Sequence, residues 1–362
     1  MHHFKILLSL VLAAVPAGAI SAPAAAFRHP LEVPAVASSL AAHGPLYGVA
    51  RAGTRLVAVG QRGHIVLSED DGASWTQASV PVSTDLVAVS FPTATHGWAV
   101  GHGGVVLHSR DGGSTWVKQL DGRQSAELAI RHFAALAAGD PVAQVLLARE
   151  ERLVADGGTQ PLLSVYFETD RTGYVVGTFN RIFRTDDGGT TWEPWMAHTD
   201  NPDELHFNAV IGSGGRVYLA GEWGMVWMLD DRGRFVARST SYEGSLFGLV
   251  VDGPEAVIAY GMRGSVFRSA DAGRSWERIL LGTTVGITGG VSRPGGEVIL
   301  VTQGGTIAHS RDTGRSFSLV KPAIPMSYYG AALVTPGSVA LVGAGGVRIE
   351  SIGDAQQISS HQ

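Results

Sequence analysis

The sequence predicts an all-β fold, a seven-bladed β-propeller of four-stranded blades with one helical insertion. Three observations carry that prediction. A Gly-turn string recurs seven times, a string of Asp and aromatic residues follows it at constant phase, and one interval between repeats is far longer than the rest. Periods of about forty residues, each supplying a few short strands, are the mark of a ring of blades. The composition agrees: of 362 residues 48 are Gly and 16 are Pro, which suits short strands joined by tight reversals.

The chain opens with Lys5, after His2 and His3, followed by an apolar run over 6–15 and then small residues. This reads as an export signal over 1–26, with cleavage expected between 19 and 26. The run is too short and too rich in Ala for a membrane-spanning anchor, and no later segment supplies one. The expected destination is a periplasm or an equivalent lumen. Cysteine is absent, so neither disulfides nor lipid attachment at a cysteine is expected. With a net charge of −5 and no basic run interleaved with aromatics, nucleic acid is a poor partner.

The turn string reads Val59-Gly60-Gln61-Arg62-Gly63, then Val100-Gly101-His102-Gly103-Gly104 and Val176-Gly177-Thr178-Phe179-Asn180. It continues as Ala220-Gly221-Glu222-Trp223-Gly224, Tyr260-Gly261-Met262-Arg263-Gly264, Val301-Thr302-Gln303-Gly304-Gly305 and Val342-Gly343-Ala344-Gly345-Gly346. The fifth position is Gly or Asn, the residues that best tolerate positive φ, which predicts a tight reversal there. From 60 to 343 the spacings are 41, 76, 44, 40, 41 and 41. Only the second is anomalous, so a segment has been inserted and no repeat is missing.

After each turn a second string, Ser/Thr-x-Asp-x-Gly-x-Ser/Thr-Trp, is complete at 68–75, 109–116, 185–192 and 269–276. In the sixth repeat Phe317 replaces the Trp, and the fourth repeat keeps only Asp230, Asp231, Gly233 and Phe235. This is an Asp box. Its Asp residues (Asp70, Asp111, Asp187, Asp271, Asp312) are expected to accept backbone N–H bonds and lock a strand reversal. Its Trp residues (Trp75, Trp116, Trp192, Trp276) are expected to pack between blades. Spread around a ring, they cannot gather into one metal or acid–base site.

Before each turn lies an apolar strand whose third residue is small, as in Leu46-Tyr47-Gly48, Leu86-Val87-Ala88 and Leu246-Phe247-Gly248. Crowding at a propeller axis favours such residues. Each repeat therefore supplies an inner strand A, a strand B up to the Gly turn, a strand C and an outer strand D. The seventh repeat lacks D, and the apolar stretch 31–39 is expected to complete it and remove an exposed edge. The propeller domain is expected over 27–354, with 355–362 as a flexible tail.

The insertion, 123–156, predicts two helices. The first is expected over 127–138; Asp140-Pro141 then supplies an N-cap and a Pro at the first helical position of the second, over 142–154. It joins strand D of the second repeat to strand A of the third, so it shares a face with the Gly turns and lies opposite the Asp boxes. The connection 197–206 is expected there too. That face displays Arg62, His102, Phe179, Arg181, Trp223, Met262 and Arg263, joined by Arg123 and Arg131 of the insertion. Exposed aromatic, Met and Arg side chains are favoured at protein interfaces, so this is the expected binding face. The partner class expected is a protein, with this chain acting as a monomer.

An enzyme of the sialidase class, or one acting on glucans, is the alternative, because Asp-box repeats occur there. The Phe/Tyr-Arg-Ile-Pro signature is absent, Phe27-Arg28-His29-Pro30 being the nearest string, and Glu168, Asp170, Glu204 and Glu222 are weak candidates for an inward carboxylate pair. Histidines at 64, 102, 198 and 206 show no His-x-His or Glu-x-x-His spacing, so neither metal nor other cofactor is expected.

Two copies of the repeat carry a resemblance to a known family. They are Val89-Ser90-Phe91 with Gly97-Trp98-Ala99-Val100-Gly101-His102-Gly103-Gly104 and Asp111-Gly112-Gly113-Ser114-Thr115-Trp116, and Phe167 with Gly173-Tyr174-Val175-Val176-Gly177 and Asp187-Gly188-Gly189-Thr190-Thr191-Trp192. Both resemble the repeat unit of the photosystem II stability/assembly factors. The resemblance implies an exported, non-catalytic propeller that assists assembly of a membrane protein complex by binding incompletely assembled subunits. The helical insertion departs from it.

Overall fold

The computed structural model describes residues 28–352. The stretch read as an export signal, 1–26, and the expected tail, 355–362, lie outside the described residues. Seven antiparallel sheets form in chain order, over 46–77, 86–120, 162–194, 207–239, 246–279, 287–320 and 328–351. Six have four strands in the order A-B-C-D, and the seventh has three among the described residues.

The ring closes through its inner strands. A Cβ on Gly48 would lie 3.1 Å from the Val87 carbonyl oxygen, and one on Gly330 3.3 Å from that of Tyr47. Blade 1 thus abuts both blade 2 and blade 7 backbone to backbone, and the small third residue of each strand A is what permits it. In every blade the A–B register slips at the start of strand A, a bulge that turns the second residue toward the axis.

The cores lie between neighbouring blades. Trp116 of blade 2 is 4% exposed and packs with Val57 and Leu67 of blade 1. Trp192 packs with Trp98 and Phe167, Trp276 against Tyr218, and Phe317 against Ile258. Each box aromatic therefore reaches back to the blade before its own. Between blades 2 and 3 the Trp98 and Phe167 rings stack with centroids 3.5 Å apart.

The stretch 31–39 does not complete blade 7. It runs along the outside of blade 1, where the Ala35 N–H donates to the Val80 carbonyl and the Ser38 N–H to the Gln77 side chain. Leu31 is 3% exposed and sits among Val57, Val80, Val82 and Val105. Pro30 and Pro34 have no N–H to give to a ladder, and Leu31 gains more from the blade 1–blade 2 crevice than from an edge. Blade 7 instead meets the N-terminal segment just before strand A of blade 1, where Ala41 packs with Val342 and the Val347 N–H donates to the Ala42 carbonyl, 3.1 Å away.

The insertion is a helical hairpin, α1 over Gly122–Leu136 and α2 over Pro141–Ala155. Asp140 caps α2 and Pro141 opens it. Helix α1 starts five residues earlier than the apolar spacing predicts, because Asp121 and Gln124 form a capping box. Phe133 is fully buried in the core that also holds Trp192, Trp195 and Met196, which seats the hairpin on blade 3.

Candidate binding face

One face of the ring is fixed by the Asp boxes. At Asp70 the carboxylate accepts the Ser74 N–H at 2.9 Å and both the Ser74 and Ser68 hydroxyls, at 2.6 and 2.8 Å. The same three bonds recur at Asp111, Asp187, Asp271 and Asp312. These donors stabilise the ionised form and hold the Asp70 carboxyl down at about 2. Even the degraded fourth box works this way, with Asp230 accepting the N–H groups of Arg232 and Arg234. In the other boxes the donors take three of the roughly four acceptor sites of each carboxylate and hold it in its own turn.

The Gly turns and the hairpin share the other face: a Cβ on Gly104 would lie 2.7 Å from the Gly122 Cα at the start of α1. In these turns the fifth residue has positive φ, 74° at Gly63 and 56° at Asn180. Asn180, the exception to Gly, is buried, and its side-chain oxygen accepts from Thr199 and Asn201 of the long connection. In the first five repeats the fourth turn residue is left-handed as well. Arg62, Phe179, Trp223 and Arg263 have φ of 55°, 55°, 54° and 56°. That region costs an L-residue about 1–2 kcal/mol.

These four side chains are exposed, Phe179 by 46% and Trp223 by 58%. His102 and Met262, one position earlier in their turns, are exposed at ordinary φ. Around a single face the chain thus holds bulky side chains in strained backbone and keeps them in water. The Asp-box turns also hold non-Gly residues at positive φ, Asp71, Ala272 and Thr313, so what sets this face apart is the bulk of the side chains held that way.

Of the three other residues assigned to this face, Arg181 and Arg131 behave differently. Arg181 is 1% exposed, not a surface group: it pairs with the fully buried Glu150 of α2 at 2.9 Å and donates to the Ser125 hydroxyl of α1 at 3.0 Å. The hairpin folding back over blade 3 is what buries it. Arg131 lies off the face, because α1 runs toward the outer strand of blade 3 and Arg131 there lines a cleft with Thr190, Thr191 and Trp192. Arg123 is exposed, 3.5 Å from Glu32.

The candidate acids do not converge. Glu168 and Asp170 lie in the A–B connection of blade 3, on the Asp-box side, whereas Glu204 pairs with Arg149 and Glu222 accepts the His206 N–H on the opposite face. His198 stacks on Trp195, His64 is buried, and no group of three potential metal ligands occurs among the described residues.

Sequence reasoning missed the mouth of the central channel. The second residues of the seven inner strands, Tyr47, Val87, Leu163, Asn208, Phe247, Thr288 and Tyr329, line it together with Tyr260. The available signal was Tyr260 itself, which stands where the other six repeats have Val or Ala.

Fold and face together define a seven-bladed Asp-box propeller that presents a strained, aromatic- and Arg-bearing surface beside a helical hairpin. A sequence model of the photosynthesis system II assembly factor YCF48 matches residues 52–135 and 152–316. The chain belongs to that family. The unmatched gap falls on the end of α1, the helix–helix loop and most of α2.

The chain is 31% identical over 159 residues to the photosystem II assembly protein Ycf48 of Synechococcus sp. (strain JA-2-3B'a(2-13)), covering 40% of this chain and 46% of that one. It is 46% identical over 46 residues to the chloroplastic photosystem II stability/assembly factor HCF136 of Guillardia theta, 12% of each chain. The matches thus span less than half the length of these relatives. Among solved structures, YCF48 bound to D1 peptide superposes with a TM-score of 0.63 at 17% identity, over 89% of this chain and all of that one. YCF48 from Cyanidioschyzon merolae gives 0.61 at 15% identity, over 86% and 96%. These superpositions show the shared fold.

Proposed function

We propose that this protein is an exported, non-catalytic assembly factor that binds a segment of a membrane protein through the hairpin-bearing face, acting as a monomer in the periplasm or an equivalent lumen. The observation that carries the reading is the set of four bulky residues held at left-handed φ and left exposed on that face. Family membership supports the assembly role, and the D1 peptide bound to the solved relative supports a polypeptide ligand. Export is supported by the pattern of 1–26 and by the name of another relative, a photosystem II assembly lipoprotein Ycf48. No helix among the described residues is long and apolar enough to cross a membrane.

Deleting the hairpin would bare Trp192, Trp195 and Arg181, so point changes test the face better. Trp223→Gly relieves about 1–2 kcal/mol of left-handed strain against the ~0.5–1 kcal/mol that Gly loses in chain entropy. The variant is expected to be as stable as the parent or slightly more so, yet to capture fewer membrane partners in a pull-down. Full capture by Trp223→Gly together with Phe179→Gly would refute the proposed face.

A further inference from the structure

Blade 5 carries a feature that neither the ring nor the Asp boxes require. Tyr260 ends strand B immediately before the Gly261 turn, so it sits at the level of the hairpin-bearing face. It is 6% exposed and lines the central channel. Six other blades have Val or Ala at this position, and the extra ring is accommodated by two glycines. A Cβ on Gly248 would collide with the Tyr260 hydroxyl, and one on Gly290 would lie 3.0 Å from its ring. Gly290 in turn occupies a position held in the other blades by Val49, Val89, Val165, Val210, Leu249 and Ala331. The inner strands have given up side-chain volume to let a phenol reach the axis.

Among the described residues nothing hydrogen-bonds that hydroxyl, and burial alone pushes it well above the ordinary phenol range. The hydroxyl is not sealed off: it keeps contact with the channel, so an entering group can reach it. The channel around it is lined by no Asp, Glu, Lys, Arg or His. Tyr47 and Tyr329, whose ring centroids are 5.7 Å apart, and Phe247 make much of its rim aromatic. A charged group entering such a lining would lose its hydration without a counter-charge, whereas a neutral carbonyl would find a waiting O–H.

We propose that the channel mouth takes the uncharged tip of a bound polypeptide, with the Tyr260 hydroxyl donating to a peptide carbonyl of that tip. This rests on the hairpin-bearing face being the binding face. It divides the labour there: the outer turns hold the segment, and the channel selects for a stretch without charge.

Two measurements test it. The chain has eight tyrosines, so a ring-labelled sample gives a resolvable NMR spectrum in which Tyr260→Phe assigns the Tyr260 signal. N-methylacetamide, a single neutral peptide group, is expected to shift that signal saturably, and potassium acetate is not. No saturable shift with N-methylacetamide, or an equal one with acetate, overturns the inference. In cells, a photo-cross-linking residue replaces Tyr329 in one variant and Trp223 in another. Both are expected to link to one polypeptide, at Tyr329 through a stretch free of Lys, Arg, Asp and Glu. That stretch, made as a peptide, should bind Tyr260→Phe about fivefold more weakly, the worth of one hydrogen bond. Linkage at Trp223 alone, or a charged stretch at Tyr329, overturns the channel and leaves the face standing; linkage at neither removes both.

Discussion

Replacing Arg181 by Met tests how the hairpin is held. The Arg181 guanidinium lies 2.9 and 3.2 Å from the two carboxylate oxygens of Glu150 and 3.0 Å from the Ser125 hydroxyl. Arg181 is 1% exposed and Glu150 not at all, so water cannot replace the lost partner. Removing one member of a buried pair costs about 3–5 kcal/mol, mostly the penalty of the charge left behind. Arg181→Met should fall in that range by urea denaturation followed through tryptophan fluorescence, since Trp192 and Trp195 lie in the same core as Phe133. Hydrogen exchange should rise first in α2, which carries Glu150. The double variant Arg181→Met/Glu150→Leu removes both charges and should recover most of the loss, because apolar groups of similar volume serve a buried pair's place well. A single variant costing under about 1 kcal/mol, or a double as unstable as the sum of the singles, would refute the claim that this pair anchors the hairpin.

Three further outcomes are expected. The box carboxyls are held below the usual range, at about 2 for Asp70 and Asp312, so the stability they contribute is present above the ordinary Asp pKa and lost as pH falls from about 4 toward 2; urea midpoints across that window should drop, less steeply in an Asp70→Asn/Asp312→Asn variant. Burial lowers His108 to about 4, so as pH falls from roughly 6.5 to 4 the unfolded chain takes up a proton the folded one refuses; stability should decline through that interval, and less steeply in His108→Gln, where the lowered His64 and His198 remain. Trp116→Ala should cost about 3–5 kcal/mol by thermal melting, and Trp75→Ala less, because Trp116 is 4% exposed whereas Trp75 is only half-buried.

The repeat phase made the blades, the position of the insertion and the two faces readable from the sequence, because turn chemistry is local. What failed was long-range. Arg181 follows a turn and reads as exposed; only the return of α2, some thirty residues earlier in the chain, supplies the Glu150 that buries it. The stretch 31–39 has the apolar content of a strand, but Pro30 and Pro34 and the crevice that accepts Leu31 decide otherwise. The start of α1 was signalled by Asp121 and Gln124, a pair the apolar spacing alone does not weigh. Tyr260 and Gly290 are each unremarkable in isolation and meaningful only as neighbours across two blades.

The separation of the Asp boxes from the Gly turns has an evolutionary consequence. The groups that close each reversal occupy one rim, and the side chains that meet water and partners occupy the other, a strand's length away. Changes at positions so far apart affect stability nearly additively, so the outward rim can be rewritten one blade at a time without disturbing the lock on the opposite side. A lineage that needs a new client can alter Trp223 or Arg263 by itself, or graft a hairpin between two blades, and inherit an intact ring.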